Sequence, residues 1–443
     1  MKPTKFKRNH SILSRGWLVA VLLVMLLVTG CESLPIEIEI PWLNTPESTE
    51  PASEAFSTPS PTPEPGATVT PEPDLDTLII WLPPELNPQN ETVAGLMLQE
   101  KLDNFAADNS IKIEVRVKSR TGGGSLINSL AATSRAAPQI LPDLVVLSAP
   151  DLRLASQRDL IFTHEHIAEL MNDADWYPFG RTLSLIEGQV NAIPLFTNPL
   201  SMVYHQSSLL PPSNDWMDLD ENFGIFGFAA DDTQAKFLLL LYLSAGGEVM
   251  DAQGRAVLEE EPLLTALTAL KDGQTSLHIS ELSISYQTEE QVWTAFLNRS
   301  FDTAVVPVSL VLNHEPNGSE QPEPAMTLPE ATIGNAMGWA LANPDPARQE
   351  LALELLDELS ESEFLASWTE ELGLLPARPS ALRAWNEEEL KPALEQIAQV
   401  TRLYPPEDVL NRLGPALRNA TLLILRDGAD PLETARTTIE SIR

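Results

Sequence analysis

The chain is 443 residues long, with 63 aspartates and glutamates against 28 lysines and arginines, a formal net charge of −35, and one cysteine. That excess of negative charge excludes a nucleic-acid role on electrostatic grounds, because a phosphate backbone is held by clustered Lys and Arg, and it counts against a polyanionic substrate. A single cysteine excludes an internal disulfide, so the fold must rest on its core.

Residues 1–30 hold Lys2, Lys5, Lys7, Arg8 and Arg15, no acidic residue, and an apolar run from Trp17 to Val28. This is the charge order of a secretory signal. The run spans 12 residues, against the roughly 20 that cross a hydrocarbon core as a helix. A cleaved signal over 1–30 is therefore favoured, with an uncleaved anchor as the alternative. The cysteine, Cys31, directly follows Val28-Thr29-Gly30. That stretch resembles the bacterial lipobox, which implies that Cys31 is lipidated on sulfur and becomes the mature N-terminus. Loss of the five positive charges would take the net charge from −35 to −40. From Thr45 to Asp74 proline recurs every few residues among acidic ones, with a single aromatic, Phe56. Such a segment cannot bury enough apolar surface to offset its ordering entropy, so 31–74 is expected to be a disordered tether, whose thirty residues from Thr45 to Asp74 alone could reach roughly 90 Å when extended.

Structured sequence is expected from Leu75. DTLIIWLPP, Asp76 to Pro84, reads as a buried strand stopped by a Pro-Pro turn. A helix follows over Asn90–Ala107, then an alternating strand IKIEVRV over Ile111–Val117, a helix over Ser125–Ala136, and a continuous apolar strand LPDLVVLS over Leu141–Ser148. This alternation is the parallel α/β pattern. Further along, GIFGFAA from Gly224 reads as a strand, TQAKFLLLLYLSAGG as an apolar helix with a glycine stop, Glu260–Lys271 and Glu289–Asn298 as helices, and DTAVVPVSLV, Asp302 to Val311, and Gly334–Ala342 as strands. The last hundred or so residues read as mostly helical, and no internal repeat is visible.

An ordered set of motifs accompanies these elements. PDLVVLSAPDL is a Pro-Asp-hydrophobic strand with its following loop; GQVNAIPLFTNPLSMVYHQSSL leads a strand into Tyr204-His205; LSAGGEVMDAQGR joins a helix, a glycine turn and an Asp-x-x-Gly hairpin; GWALANPDPARQELALELLDEL and GLLPAR, Gly373 to Arg378, close the series. In this order the chain resembles the extracellular solute-binding proteins of ABC transporters, of the group that binds maltose and other oligosaccharides. Two departures stand out. The family's Tyr-Asn pair is Tyr204-His205 here, and its Thr-Trp-(Asp/Glu)-Glu-Leu segment is reduced to NDWMDL, Asn214 to Leu219. The resemblance implies an α/β, two-lobed periplasmic-binding-protein-like fold of type II, each lobe a mainly parallel sheet flanked by helices, with a cleft between the lobes. The expected division is 75–197 plus about 333–375 for the N-terminal lobe and 198–332 plus about 376–443 for the C-terminal lobe.

Ligands of open α/β sheets sit beyond the carboxyl ends of strands, and this selects the candidate ligand-binding residues: Trp81, Ser148 and Asp151 after the first strands, Thr197 and Asn198 at the first crossing between lobes, Tyr204 beyond it, Ser309 on the strand from Asp302, Trp339 at the second crossing and Arg378 after the third. Indole faces stack on sugar rings, while amides, carboxylates and hydroxyls make directed hydrogen bonds. For each of these residues core packing, capping or ion pairing is the competing reading. His164-Glu165-His166 lacks the i, i+4 spacing that puts two histidines on one helix face and reads as a solvated helix start. Thr121-Gly122-Gly123-Gly124-Ser125 lacks the P-loop lysine and reads as a flexible loop. No Gly-x-Ser-x-Gly elbow is present.

The function these readings imply is a lipid-anchored extracellular solute-binding protein. It would capture a small molecule, a sugar or oligosaccharide being favoured, close its lobes on it and deliver it to ABC permease subunits. It would act as a monomer held at the membrane by its anchor alone, without enzymatic activity, metal or cofactor. The alternative is a surface lipoprotein of the same fold serving as a sensor partner or ligand-free scaffold. A secreted hydrolase with a carboxylate pair in the cleft is a more distant one.

Overall fold

The computed structural model describes residues 76–205, 212–218, 224–314 and 324–443. The expected signal, Cys31 and the expected tether lie outside the described residues.

Strand β1 (Thr77–Leu82) is buried along its apolar length, and β2 (Lys112–Val117), whose charged residues alternate outward, pairs with it in parallel as an edge. β3 (Leu144–Ser148) lies on the other side of β1, also parallel. A small hairpin of β4 (Leu185–Ile186) and β5 (Gln189–Val190) precedes the long β6 (Ile193–His205). Then come β7 (Phe226–Gly227), β8 (Thr303–Pro307), β9 (Pro324–Met326), β10 (Thr332–Leu341), β11 (Leu375–Pro376) and β12 (Thr401–Leu403). Strand order in the large sheet is β2-β1-β3-β10-β6-β8-β7, with β11 and β9 on β6 and β12 on β10.

This sheet divides within β6. Up to Pro199 the strand runs antiparallel to β10, and from Leu200 it runs antiparallel to β8. Pro199 has no N–H to give a ladder, so the switch of partners falls where one donor is missing. Packing changes on one face at the same place. Leu195 and Phe196 lie in a first core with Trp81, Trp339 and Trp368, Leu200 and Met202 enter a second core around Phe226, Phe237 and Leu413, and Val203 stays with Ala304, Val306 and Phe296 in the first, which runs on under the other face of the sheet. β10 makes the opposite passage, with Ile333 in the second core and Ala336 onward in the first.

A third passage lies at β12. Ala377, Leu382, Trp385, Leu394 and Ile397 are all buried in the first core, and Val409 is the next residue in the second. Residues Ala377–Ile397, beyond the return expected at about residue 376, therefore pack in the first core. The reason is the amphipathic helix Lys391–Val400, which packs on the first half of the sheet rather than the second.

Side by side, the three passages are hydrogen bonded. Asn335 pairs with Asn198 and Gly334 with both Pro199 and Leu403; Tyr404 N donates to Gly334 O at 3.1 Å; Thr197 Oγ1 donates to Asn335 O at 3.0 Å and Thr332 Oγ1 to Leu200 O at 2.6 Å. Gly334 is required by this crowding, because a Cβ there would sit 2.7 Å from Pro199 Cα.

Two expected strands are shorter than the apolar runs suggest. GIFGFAA contributes only Phe226–Gly227 to the sheet. In DTAVVPVSLV the strand stops at Pro307, which stands at the N-terminus of a helix, Val308–Leu312. The reduced NDWMDL segment still supplies an anchor: Trp216 is buried in the second core and its indole N–H donates to Ala331 O.

Candidate functional site

Loops beyond the carboxyl ends of β1, β2 and β3 converge on the passages between the two halves. After β1, Glu85 meets Arg120 from the loop after β2, Oε1 to Nη1, at 3.0 Å. After β3, Ser148 caps the helix Ala149–Gln157, and its hydroxyl donates to Asp151 Oδ2 at 2.9 Å. Burial pushes the Asp151 carboxyl above the usual carboxylate range; the Ser148 bond and Arg120 oppose the rise, and Glu407, at the start of the helix Glu407–Asp427, adds to it. On the crossing strand itself, Asn198 donates from Nδ2 to Ser309 Oγ at 2.9 Å and accepts from Ser309 N at 3.1 Å. That pair fixes the first turn of helix Val308–Leu312 against β6.

A cavity of about 520 Å³ opens at this junction, lined by Glu85, Arg120, Phe196, Asn198, Asn313 and Asn335 among others. Asn313 follows helix Val308–Leu312 and donates from Nδ2 to Leu372 O at 3.1 Å, at the end of helix Ser362–Leu372. There Gly373 turns with φ 64°, and a Cβ would stand 2.5 Å from Asn313 Oδ1. A second cavity of about 540 Å³ lies on the third passage, between Pro150 and Arg153 on one side and Met250, Tyr404 and Pro406 on the other.

Facing the third passage is a charged cluster at the start of the apolar helix Lys236–Ser244. Lys236 Nζ lies 2.8 Å from Glu289 Oε1 and 3.8 Å from Asp232 Oδ2, and Asp232 also accepts from the Lys236 backbone N–H at 3.0 Å. Burial works against the Lys236 charge, but Glu289 and Asp232 outweigh it and hold the ammonium above its ordinary pKa. Tyr404, which feels the same two carboxylates, has its hydroxyl pushed well above the tyrosine range by burial first and by their charge second.

Of the residues expected to line a cleft, Asn198, Ser309, Ser148 and Asp151 come to this region. The tryptophans do not. Trp339 is 0% exposed and Trp81 2%, both inside the first core because β10 and β1 are interior strands covered on both faces. Neither offers an indole face to a solute; Lys118 Nζ lies over the Trp81 ring at 4.8 Å. Thr197 is fully buried, with its hydroxyl on Asn335 O. Arg378 is buried as well, bound to Asp173 Oδ2 at 2.9 Å and Ser360 O at 2.9 Å, with its guanidinium over the Trp176 ring at 4.0 Å. It is a structural tie within the first half. Tyr204 lies farther along β6, half-buried, its pKa raised by burial. His164 caps helix Glu165–Met171 and His166 Nε2 meets Asp357 at 2.7 Å.

Sequence reasoning missed Glu85, Arg120, Asn313, Asn335, Lys236 and Tyr404. Glu85 and Arg120 directly follow strands that were located correctly, so the strand-end rule could have selected them. Asn335 and Tyr404 carried no signal, because one sits inside an apolar strand and the other in what reads as a loop.

A family model described as bacterial extracellular solute-binding protein matches residues 101–395, well over half of the chain, and the protein belongs to that family. Comparison with curated protein sequences gives no match. Among solved structures, the chain is similar to a cyclo/maltodextrin-binding protein complexed with maltotetraose, at TM-score 0.65 and 15% identity over 83% of this chain and 96% of that one. It is similar also to the maltose-binding periplasmic protein MalE of Listeria monocytogenes in complex with maltose, at 0.62 and 12% over 83% and 96%. A third is an ABC transporter solute-binding protein of Thermotoga lettingae bound with α-D-tagatose, at 0.60 and 16% over 83% and 98%. The fold is the two-lobed periplasmic-binding-protein fold, α/β in both lobes.

Proposed function

We propose that this protein is a lipid-anchored solute receptor that captures a small sugar or oligosaccharide between its lobes and delivers it to an ABC permease. The observation that carries the reading is the arrangement of the passages: three adjacent, hydrogen-bonded segments at 197–200, 332–336 and 401–406 lie side by side where β6 changes partner from β10 to β8, beside a polar cavity. Rotation about a few residues of such strands moves one lobe on the other as a rigid body, and a solute shifts the balance only through its greater affinity for the closed form. Amide and hydroxyl groups at the cavity suit a neutral polyhydroxylated ligand, and the sugars held by the structural relatives support the same class.

Small-angle scattering and tryptophan emission with maltose, maltotetraose and D-tagatose test the reading. A bound sugar is expected to reduce the radius of gyration and alter the emission. A flat response to all three in both measurements, with no heat of binding, would count against a receptor for sugars. The second reading, a scaffold of the same fold without transport, draws on one observation: both expected stacking platforms are buried, and Phe196, 4% exposed, is the only aromatic side chain among the described residues lining the 520 Å³ cavity.

Attachment rests on Cys31, whose place behind the apolar run supports lipidation. The Cys31→Ala variant is expected to lose metabolic lipid labelling and partition into the soluble fraction while retaining its solute affinity. Persistence at the membrane after signal cleavage would overturn the anchor.

A further inference from the structure

The free hydrogen-bonding capacity of the cavity is concentrated at a residue that strand-end reasoning passes over. Three amides line it, Asn198, Asn313 and Asn335. Asn198 is occupied at both ends by Ser309, at 2.9 and 3.1 Å. The Asn313 nitrogen is occupied by Leu372 O, which leaves its Oδ1 available. Asn335 is half-buried, and its side chain makes no hydrogen bond among the described residues. In register it stands opposite Asn198, and directly opposed residues of an antiparallel pair project from the same face. Its amide is not among the buried unpaired polar atoms of the described residues, so it faces the cavity open to solvent, and a solute can take the place of that water.

We propose that Asn335 is the contact on the crossing strands that reads the solute, and that this cavity takes a neutral polyhydroxylated solute held along its edge by hydrogen bonds rather than by stacking. The inference rests on the receptor reading given above and deepens it. One amide presents a donor and an acceptor side by side, the complement of two neighbouring hydroxyls, and the free Asn313 Oδ1 adds an acceptor. Charge points away from an ionic ligand. Arg120, the cation of the lining, is already paired with Glu85, and Glu371 at the rim would repel an anion. Stacking is disfavoured because Phe196 shows almost no surface. The volume, about 520 Å³, falls within the roughly 300–1,000 Å³ of small-molecule sites. Asn335 is also held in the β6–β10 ladder between the cores, so a solute bound there touches a segment that turns when the lobes move.

Titration calorimetry on the intact protein and on Asn335→Ala, with maltose, D-tagatose, galacturonate and glucosamine as probes, tests this. The parent is expected to bind a neutral sugar, and Asn335→Ala to weaken that binding by at least about tenfold, the loss of one well-made hydrogen bond to a buried partner. The melting temperature of the unliganded variant should stay within about 1 °C of the parent, since no internal bond is lost. Asn335→Gln, which keeps the amide, should retain part of the affinity. If the parent binds a neutral sugar and Asn335→Ala binds it within about twofold, this assignment is wrong while the receptor reading stands; tighter binding of galacturonate or glucosamine than of the neutral sugars likewise removes the ligand class. If the parent binds none of the four, both fall together.

Discussion

The Asp143→Ala variant is expected to melt roughly 10 °C below the parent, a loss of about 3–5 kcal/mol. Asp143 is 1% exposed, and every contact of its carboxylate crosses between elements. Oδ2 accepts from Ile79 N at 2.7 Å, Oδ1 from Asn343 Nδ2 at 3.0 Å, and the two oxygens take Arg348 Nε and Nη2 at 2.7 and 2.6 Å. Arg348 Nη2 also donates to Thr77 O at 2.7 Å. The group therefore joins β1, the start of β3, the end of β10 and the helix Pro346–Ser360. Fork-on-fork geometry makes such a pair strong, and removing only the acid strands a guanidinium beneath the first core. Replacing both partners is the informative control. Asp143→Ala with Arg348→Met should recover a large part of the loss, because the stranded charge is gone. Calorimetry of both variants checks it, and an Asp143→Ala variant melting within a degree or two of the parent would show the pair to be ornamental.

Gly334→Val is expected to give the second-largest effect, and a different one. A Cβ at this position meets Pro199 Cα at 2.7 Å, Pro199 N at 2.9 Å and Thr197 Oγ1 at 2.9 Å. Two of these atoms are backbone and cannot step aside, so the crossing strands must part. Overpacking of this kind costs about 1–3 kcal/mol, but the disturbance falls between the lobes rather than within either core. Hydrogen exchange should accelerate at Thr197, Leu200 and Gly334 while amides of β1 and β3 keep their protection, and the radius of gyration of the unliganded protein should change. Uniform acceleration over the whole chain would instead mark Gly334 as an ordinary packing position.

The first half of the fold was legible because its strands are bounded by unambiguous signals. LIIWL runs into Pro83-Pro84, KIEVRV alternates, and Pro142-Asp143 opens LVVLS. Asp143 has a physical reason to be where it is, since an acid at that point closes the bidentate pair with Arg348. Legibility failed where periodicity says that a face is buried but not against what. The helices Lys391–Val400 and Glu407–Asp427 are equally amphipathic, yet one packs on the first core and the other on the second. VVPVSLV reads as one apolar strand, although Pro307 converts its second half to a helix that sets Ser309 against Asn198 and is followed by Asn313 at the cavity. Tryptophan was the most misleading letter, because its value for sugar recognition and its value for filling an interior are indistinguishable until burial is known. Asn335, one polar residue in an apolar strand, looked like noise for the opposite reason.

Passing three times between lobes has a consequence for the order in which the molecule can be completed. Val409, Leu413, Leu417 and Ile424, together with Ala435 and Ile439, seal the second core, and they belong to the last 35 positions of the chain. A chain cut short at Pro406 would leave Phe226, Phe237 and the Leu238–Leu241 row facing water. The second lobe therefore cannot finish before residues Val409–Ile439 have been made. For a member of an extracellular family, which has to stay unfolded while it is threaded across the membrane, the lobe is locked by a stretch made well after Phe226 and Phe237.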